Sequence, residues 1–157
     1  MLKKSDTPLV AVEVSPRAQA TIYPPPFASR VAGRIKRRLG DHFGLTKLGI
    51  NFTTLEPGSQ SALLHRHTLQ EEFVYIVAGT AVLRTGEAEH ELSAGMCIGF
   101  RPDGPAHHLL NRSDQPVHYL EIGDRPGGDA ADYPEDDLVA QMVDGAWATT
   151  HREGSPW

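Results

Sequence analysis

Residues 58–79 read GSQSALLHRHTLQEEFVYIVAG, and their period of two decides the fold. Side chains two apart on an extended chain share a face, so His65 and His67 project together while Arg66 points away. The run 71–77 (EEFVYIV) is rich in β-branched and aromatic residues and is expected to form the next strand, after a short turn at 68–70. Glu72, Val74 and Ile76 fall on one face of that strand, and Glu71, Phe73, Tyr75 and Val77 on the other. Glu72 can therefore face the same interior as the histidine pair. Downstream, the turn Pro102-Asp103-Gly104-Pro105 introduces a further strand, 106–111 (AHHLLN). His107, Leu109 and Asn111 share one face of it, and parity sends His108 outward as a surface or interface residue. Neutral imidazoles and a carboxylate are ligands of first-row metals. His65, His67, Glu72 and His107 thus make a metal site the leading expectation.

Outward from this stretch the same pattern repeats. Strands are expected at 45–55, 61–67, 72–77, 80–85, 88–92, 96–100, 106–111 and 117–123, separated by turns rich in Gly, Pro, Asp and Ser. Short strands in this rhythm indicate an all-β barrel or sandwich, and two antiparallel sheets rolled into a jelly-roll barrel would close around the histidines. Residues 1–44 are expected to be an extended N-terminal arm. Its Tyr23-Pro24-Pro25-Pro26-Phe27 favours a polyproline segment flanked by aromatics that need burial, against the barrel or a partner subunit. The barrel is placed at 45–124 and a C-terminal extension at 125–157, all within one domain. In that extension 124–132 (DRPGGDAAD) reads as a flexible turn, 133–139 (YPEDDLV) as the start of a short helix, and 145–157 as an extended tail.

Composition narrows the function classes. The chain has 157 residues, one domain's worth of sequence, with 39% hydrophobic and 22% charged residues, as in a soluble globular protein. No apolar run approaches the roughly 20 residues of a membrane span, and the opening MLKKSDTPLVAVEV lacks an apolar signal core. A cytoplasmic protein without a membrane partner is expected. Cys97 is the single cysteine, so no intrachain disulfide can form; within GMCIGF it is expected to be buried filler. The basic cluster Arg34, Lys36, Arg37 and Arg38 raises the idea of nucleic-acid binding. The formal net charge of −5 and the lack of room for a separate DNA-binding domain favour a solvated face instead, with no nucleic-acid partner. His42, His90, His118 and His151 have no partner spacing and are given no role.

The residues of the first paragraph also carry a family resemblance. Gly58, six residues, His65-Arg66-His67, four residues, Glu72, six residues and Gly79 resembles the first cupin motif. Gly95, six residues, Pro102-Asp103-Gly104, two residues, His107, three residues and Asn111 resembles the second. The resemblance implies that His65, His67, Glu72 and His107 are metal ligands and that Asn111 lies close by. The first gap of each motif is six residues where the family usually shows five, which bears on the turn before the ligands more than on the site. The phrases HRHTLQEEFVYIVAG and HHLLNRSDQPVHYLEIG, Tyr23-Pro24 before a basic stretch, and the ending HREGSPW resemble small single-domain bacterial cupins.

Such a ligand set implies one divalent transition metal per chain, Zn, Fe, Mn, Ni or Cu, with one or two positions open for water, substrate or dioxygen. Cupins include isomerases, dioxygenases, decarboxylases, sugar-binding sensors and storage proteins, so fold does not choose among them. The expected activity is that of a metal-dependent enzyme, an oxygenase or isomerase acting on a small oxygen-rich molecule. The alternative is a non-catalytic module that binds or senses a sugar or organic acid. A second acid or base near the metal is hard to find in the sequence: parity turns Tyr75 away, and Arg101 and Asp103 sit in a turn at the mouth. Homodimerisation is a family-level expectation, through one sheet and an exchanged arm.

Overall fold

Backbone pairing in the computed structural model, which describes residues 4–157, follows the period-two reading closely through the barrel. The first three residues of the expected arm lie outside the described residues. The strands are β1 (Arg34–Arg38), β2 (Leu48–Leu55), β3 (Arg66–His67), β4 (Glu72–Ala78), β5 (Thr80–Thr85), β6 (Ala88–Ser93), β7 (Cys97–Phe100), β8 (His107–Leu110), β9 (Val117–Asp124), β10 (Ala130–Asp132), β11 (Val139–Val143) and β12 (Ala146–Thr150). A one-turn helix, α1 (Leu39–His42), links β1 to β2. No helix among the described residues is long and apolar enough to cross a membrane.

One sheet runs β1-β2-β9-β4-β7, all antiparallel. Facing it are β6-β5-β8 and β12-β11-β10-β3. The bridges Gln60↔Leu110 and His65↔His107 join these two groups into a second layer, so the whole is a jelly-roll barrel. Residues 61–64 are irregular, where a strand was expected from 61 to 67. Buried Leu63 and Leu64 draw this piece inward and out of ladder geometry.

Burial along β4 alternates as the sequence requires: Val74 and Ile76 are buried, while Phe73, Tyr75 and Val77 are exposed. Val74 and Ile76 join Leu55, Ala81, Leu83, Leu92, Leu109, Val117 and Tyr119 in the closed end of the barrel. Each such aliphatic side chain contributes about 1.5–3 kcal/mol by leaving water. A second cluster gathers Tyr23, Phe27 and Val31 from the arm with Leu63, Ala131, Tyr133, Leu138 and Ala140. The aromatics flanking the prolines are thus buried within this chain.

The C-terminal extension differs from its expected form. Residues 133–139 make a turn, closed by the Asp136 amide on the Tyr133 carbonyl at 3.1 Å, and Val139 opens β11. One turn of Pro and acidic residues is too short to hold a helix once the following residues find strand partners. Likewise the expected extended tail is half hairpin. Asp144 and Gly145 both have positive φ, 50° and 80°, which is the two-residue turn that Asp-Gly favours, and it folds β12 back on β11. The expected flexible turn 124–132 ends in β10, which pairs with β3 and so reaches the histidine pair.

Candidate metal centre and its cavity

His65 and His67 sit where the second layer is pinned together, His65 opposite His107 and His67 opposite Ala131. Arg66 between them points outward to Asp132 at 3.2 Å, as parity demands. Glu72 opens β4 on the facing sheet, between Gly123 of β9 and Phe100 of β7. The structure brings the four expected donors together. The Nε2 atoms of His65 and His67 each lie 3.6 Å from Glu72 Oε2, and His107 Nε2 donates to the same oxygen at 3.0 Å. Donor atoms of His65, His67 and Glu72 all lie within 4.8 Å of one another, and His107 joins them through that shared oxygen. The four side chains are 8–14% exposed, so they face a sheltered but open space.

Each imidazole is oriented from behind. His65 Nδ1 donates to the Leu63 carbonyl at 2.9 Å, and His67 Nδ1 to Asp129 Oδ2 at 2.7 Å. His107 Nδ1 has only a long contact of 3.4 Å to the Pro105 carbonyl, but its ring lies flat on Phe100, centroids 3.5 Å apart. The Nδ1 partners of His65 and His67 leave Nε2 of each to face the shared space, where it can give its lone pair to a cation; His107 Nε2 would exchange its hydrogen bond to Glu72 for the cation. Asp129 is itself fixed: 2% exposed, it accepts from the amides of Leu69 at 2.9 Å and Gln70 at 3.2 Å. Burial opposes ionisation of Glu72, yet hydrogen bonds from His107 and His65 outweigh it and hold the carboxyl well below its ordinary range. Burial likewise works against a charged His65, and Glu72 overcomes it, so His65 is raised; for His107 burial wins and the ring is pushed down. The cluster carries one firm negative charge among imidazoles of mixed proton affinity, the chemistry of a divalent-cation site.

The four donors open into a cavity of about 660 Å³ within the barrel. Its far wall is polar. On β1 every second residue, Arg34, Lys36 and Arg38, faces in, and on β9 so does Glu121. Lys36 Nζ lies 2.7 Å from Glu121 Oε1 and Asn51 Nδ2 3.5 Å from it. Burial pushes Lys36 below its ordinary value, with Glu121 pulling the other way. The hydroxyls of Tyr119 and Thr53 are buried beside them and have no hydrogen-bond partner of good geometry among the described residues. Phe100, Val74, Leu109 and Trp147 supply apolar wall.

A cupin-domain family model matches residues 51–123, the span from β2 to β9. Over nearly the whole length the chain is similar to the crystal structure of a sugar phosphate isomerase of the cupin superfamily from Silicibacter pomeroyi. Identity is 34%, 96% of each chain is covered, and the TM-score is 0.89. The chain belongs to the cupin superfamily. A protein from Acidithiobacillus ferrooxidans, provisionally named a sugar phosphate isomerase, is 30% identical over 76% of this cupin and 77% of its own chain, with a TM-score of 0.72. A polyketide cyclase from Streptomyces resistomycificus shares the fold, TM-score 0.61, at 17% identity over 75% and 78% of the two chains. No curated protein sequence matches significantly.

Several expectations are corrected around the cupin's site. His108 is buried, at 7% exposure, because residues 61–64 cover the outer side of β8 and the Ala62 carbonyl accepts from His108 Nδ1 at 3.0 Å. The basic cluster is only in part a solvated face: Arg34 and Lys36 line the cavity, since β1 is a strand of the barrel wall, while Arg38 at its rim keeps an exposed side chain and Arg37 lies outside it. Cys97 is exposed, because it pairs with Tyr75 on the outward face of the sheet. Apart from these corrections, Asn111 braces the chain itself, donating to the carbonyls of Leu55 and Gln115 at 2.8 Å each and accepting from Ser113. Reading the sequence also missed Asp129, Lys36, Glu121 and Arg17. Period two marks Arg34, Lys36 and Arg38 as one face of a strand, and Val117, Tyr119 and Glu121 likewise. For Asp129 and Arg17 the sequence carries no signal.

Proposed function

We propose that this cupin is a metal-dependent isomerase of a small phosphorylated sugar. The observation that carries the reading is the Lys36–Glu121 pair, a half-buried base and acid in the same cavity as four metal donors. It favours an isomerase over an oxygenase and over a passive binding module, since proton transfer between carbons needs such a pair. The similarity to a named sugar phosphate isomerase over 96% of the chain supports the substrate class. One divalent transition metal, Zn, Fe, Mn, Ni or Cu, would be held by His65, His67, Glu72 and His107 and would supply a Lewis acid for the sugar's carbonyl and hydroxyl oxygens.

An aldose becomes a ketose when one proton moves between adjacent carbons and another between their oxygens. Glu121 takes the proton from the carbon beside the carbonyl and returns it to the neighbouring carbon. Lys36 Nζ, 2.7 Å from Oε1, orients that carboxylate. Its lowered hold on its proton suits it to exchange one with a substrate oxygen. The apolar side chains Val74, Phe100 and Trp147 limit water around the reacting carbons.

The test is turnover of aldose and ketose phosphates by metal-replete protein in heavy water. The expected result is deuterium at the carbon that gains the proton, and a Glu121→Gln variant slowed by about 10²–10⁴-fold at unchanged metal content. Metal-replete protein that interconverts no phosphorylated aldose and ketose sinks the reading.

We also infer that a second copy of the chain covers the outer face of the five-stranded sheet. Phe73, Tyr75 and Val77, exposed by 40%, 39% and 43%, stand there beside Leu120 and Ile122 of β9. Contiguous apolar surface of this kind marks an association site. A reducing compartment such as the cytoplasm fits a chain whose single cysteine, Cys97, is exposed.

A further inference from the structure

Among the cations that line the cavity, most are neutralised. Lys36 has Glu121 at 2.7 Å, Arg38 has Asp41 at 3.4 Å, and Arg125 also pairs with Asp41. Two guanidinium groups on the same wall, Arg17 and Arg34, have no carboxylate partner among the described residues. They converge on one acceptor. Arg34 Nη2 donates to the Ala20 carbonyl at 3.2 Å and Arg17 Nη2 donates to the same oxygen. Arg34 Nη1 reaches the Ser61 carbonyl at 2.6 Å, in the irregular segment that leads to His65. The Nε of each is buried and unpartnered. Arg17 is pushed down to about 10, by burial first and then by the positive charge of Arg34 and Arg38.

Two sheltered cations that repel each other and share one neutral acceptor are an uncompensated charge, which a fold keeps at a cost. The planar guanidinium fork matches phosphate oxygens two at a time, and two forks match a dianion. Arg37, the other arginine of β1 without a carboxylate, does not belong to this pair; its Nη1 lies 3.2 Å from Thr54 Oγ1 and it does not line the cavity. The position also suits a substrate that spans the barrel. Arg34 lies in the row Arg34–Leu55–Val117 and Glu72 in the row Glu72–Gly123–Gly49, so the two are separated by β2 and β9 across the sheet and by six residues along β9, yet both line the one cavity.

We propose that Arg17 and Arg34 clamp a phosphate monoester dianion, so that the arm supplies half of the anchor for the substrate's phosphate end. This rests on the isomerase reading for the identity of the ligand, but not for the existence of an anion site. Arg17 is brought to the wall by its own amide, which donates to the Lys36 carbonyl at 3.0 Å and lays the arm along β1.

The experiment is calorimetric titration of metal-replete and metal-free protein with inorganic phosphate, a pentose phosphate, and the same pentose without phosphate. Arg17→Gln, Arg34→Ala and Arg34→Lys are run beside wild type. Expected are phosphate binding that weakens with added salt, a loss of at least tenfold in Arg17→Gln and Arg34→Ala, and partial recovery in Arg34→Lys. Far-ultraviolet dichroism and metal content report whether each variant is folded. Arg17 lies on the arm outside the sheets, so Arg17→Gln keeps the test decisive should Arg34→Ala fail to fold. Phosphate binding that is unchanged in both Arg17→Gln and a folded Arg34 variant overturns the clamp, even where isomerase turnover is found. Phosphate binding by metal-free protein that both variants lose sustains the clamp, even where no isomerase turnover is found. Equal affinity for the pentose with and without phosphate overturns it as well.

Discussion

Asp129 shows how a single buried carboxylate can govern a cation site it does not touch. It holds His67 Nδ1 at 2.7 Å and is itself held by two backbone amides. Removing such support costs about 10–100-fold in metal affinity in comparable sites. Asp129→Asn is expected to weaken metal binding by that factor in a chelator competition, with the far-ultraviolet spectrum unchanged; wild-type affinity would show that the His67 ring is positioned by packing alone. Glu72 gives a pH dependence in metal-free protein. Its folded-state affinity for a proton lies well below the ordinary value of 4.5. Its contribution is therefore complete above that value and is lost as pH falls through the lower folded one. The stability margin of metal-free wild type over Glu72→Gln is expected to shrink between neutral pH and pH about 3 in urea titrations. A margin that stays constant over that range contradicts the assignment.

At the scale of elements, the turn from β4 to β5 packs closely on the backbone of a neighbouring loop. Gly79 has φ of 81°, and an added Cβ would stand 2.7 Å from the Pro116 carbonyl, on the loop that enters β9. Gly58, the other glycine of the first motif, has φ of 77° but open space around it. Gly79→Ala is expected to cost more than the roughly 1–3 kcal/mol of left-handed strain alone, and Gly58→Ala no more than that. Denaturant midpoints at matched slope measure both, and equal losses would mean the close approach relaxes freely. The elements of the barrel were legible because their signals are local. Alternating residues fix β4 and β5, and β5 is found at its expected bounds, Thr80–Thr85. The C-terminal hairpin was equally local, in Asp144-Gly145, and escaped notice because its flanking strands alternate weakly.

For the molecule as a whole, the proposed dimer rests on the outer face of the five-stranded sheet. Tyr75 stands at its centre, with Cys97 and Leu120 as cross-strand neighbours. If a second copy covers this face, Tyr75→Arg is expected to halve the mass seen by light scattering without altering metal content. Wild-type protein that is monomeric at tens of micromolar removes the dimer from the account. The N-terminal arm, by contrast, is tied to its own chain through Tyr23, Phe27 and Val31, so assembly by arm exchange is the weaker expectation.

The sequence by itself determined the all-β class and the strand parity, because each depends on residues a few positions apart, and its motif spacing singled out four candidate donors. His65 and His67 share a face for the same local reason that Phe73 and Tyr75 share the opposite kind of surface. Only the tertiary structure decided what surrounds them. Asp129 meets His67 across 62 positions and Lys36 meets Glu121 across 85. His108, outward by parity, is buried because residues 61–64 lie over it. Parity says which side of a strand a side chain takes; whether that side meets water depends on chain that returns from elsewhere. The cationic wall follows the same logic: RIKRR is charged in any context, and becomes a cavity lining only because β1 pairs with β2 and closes the barrel edge.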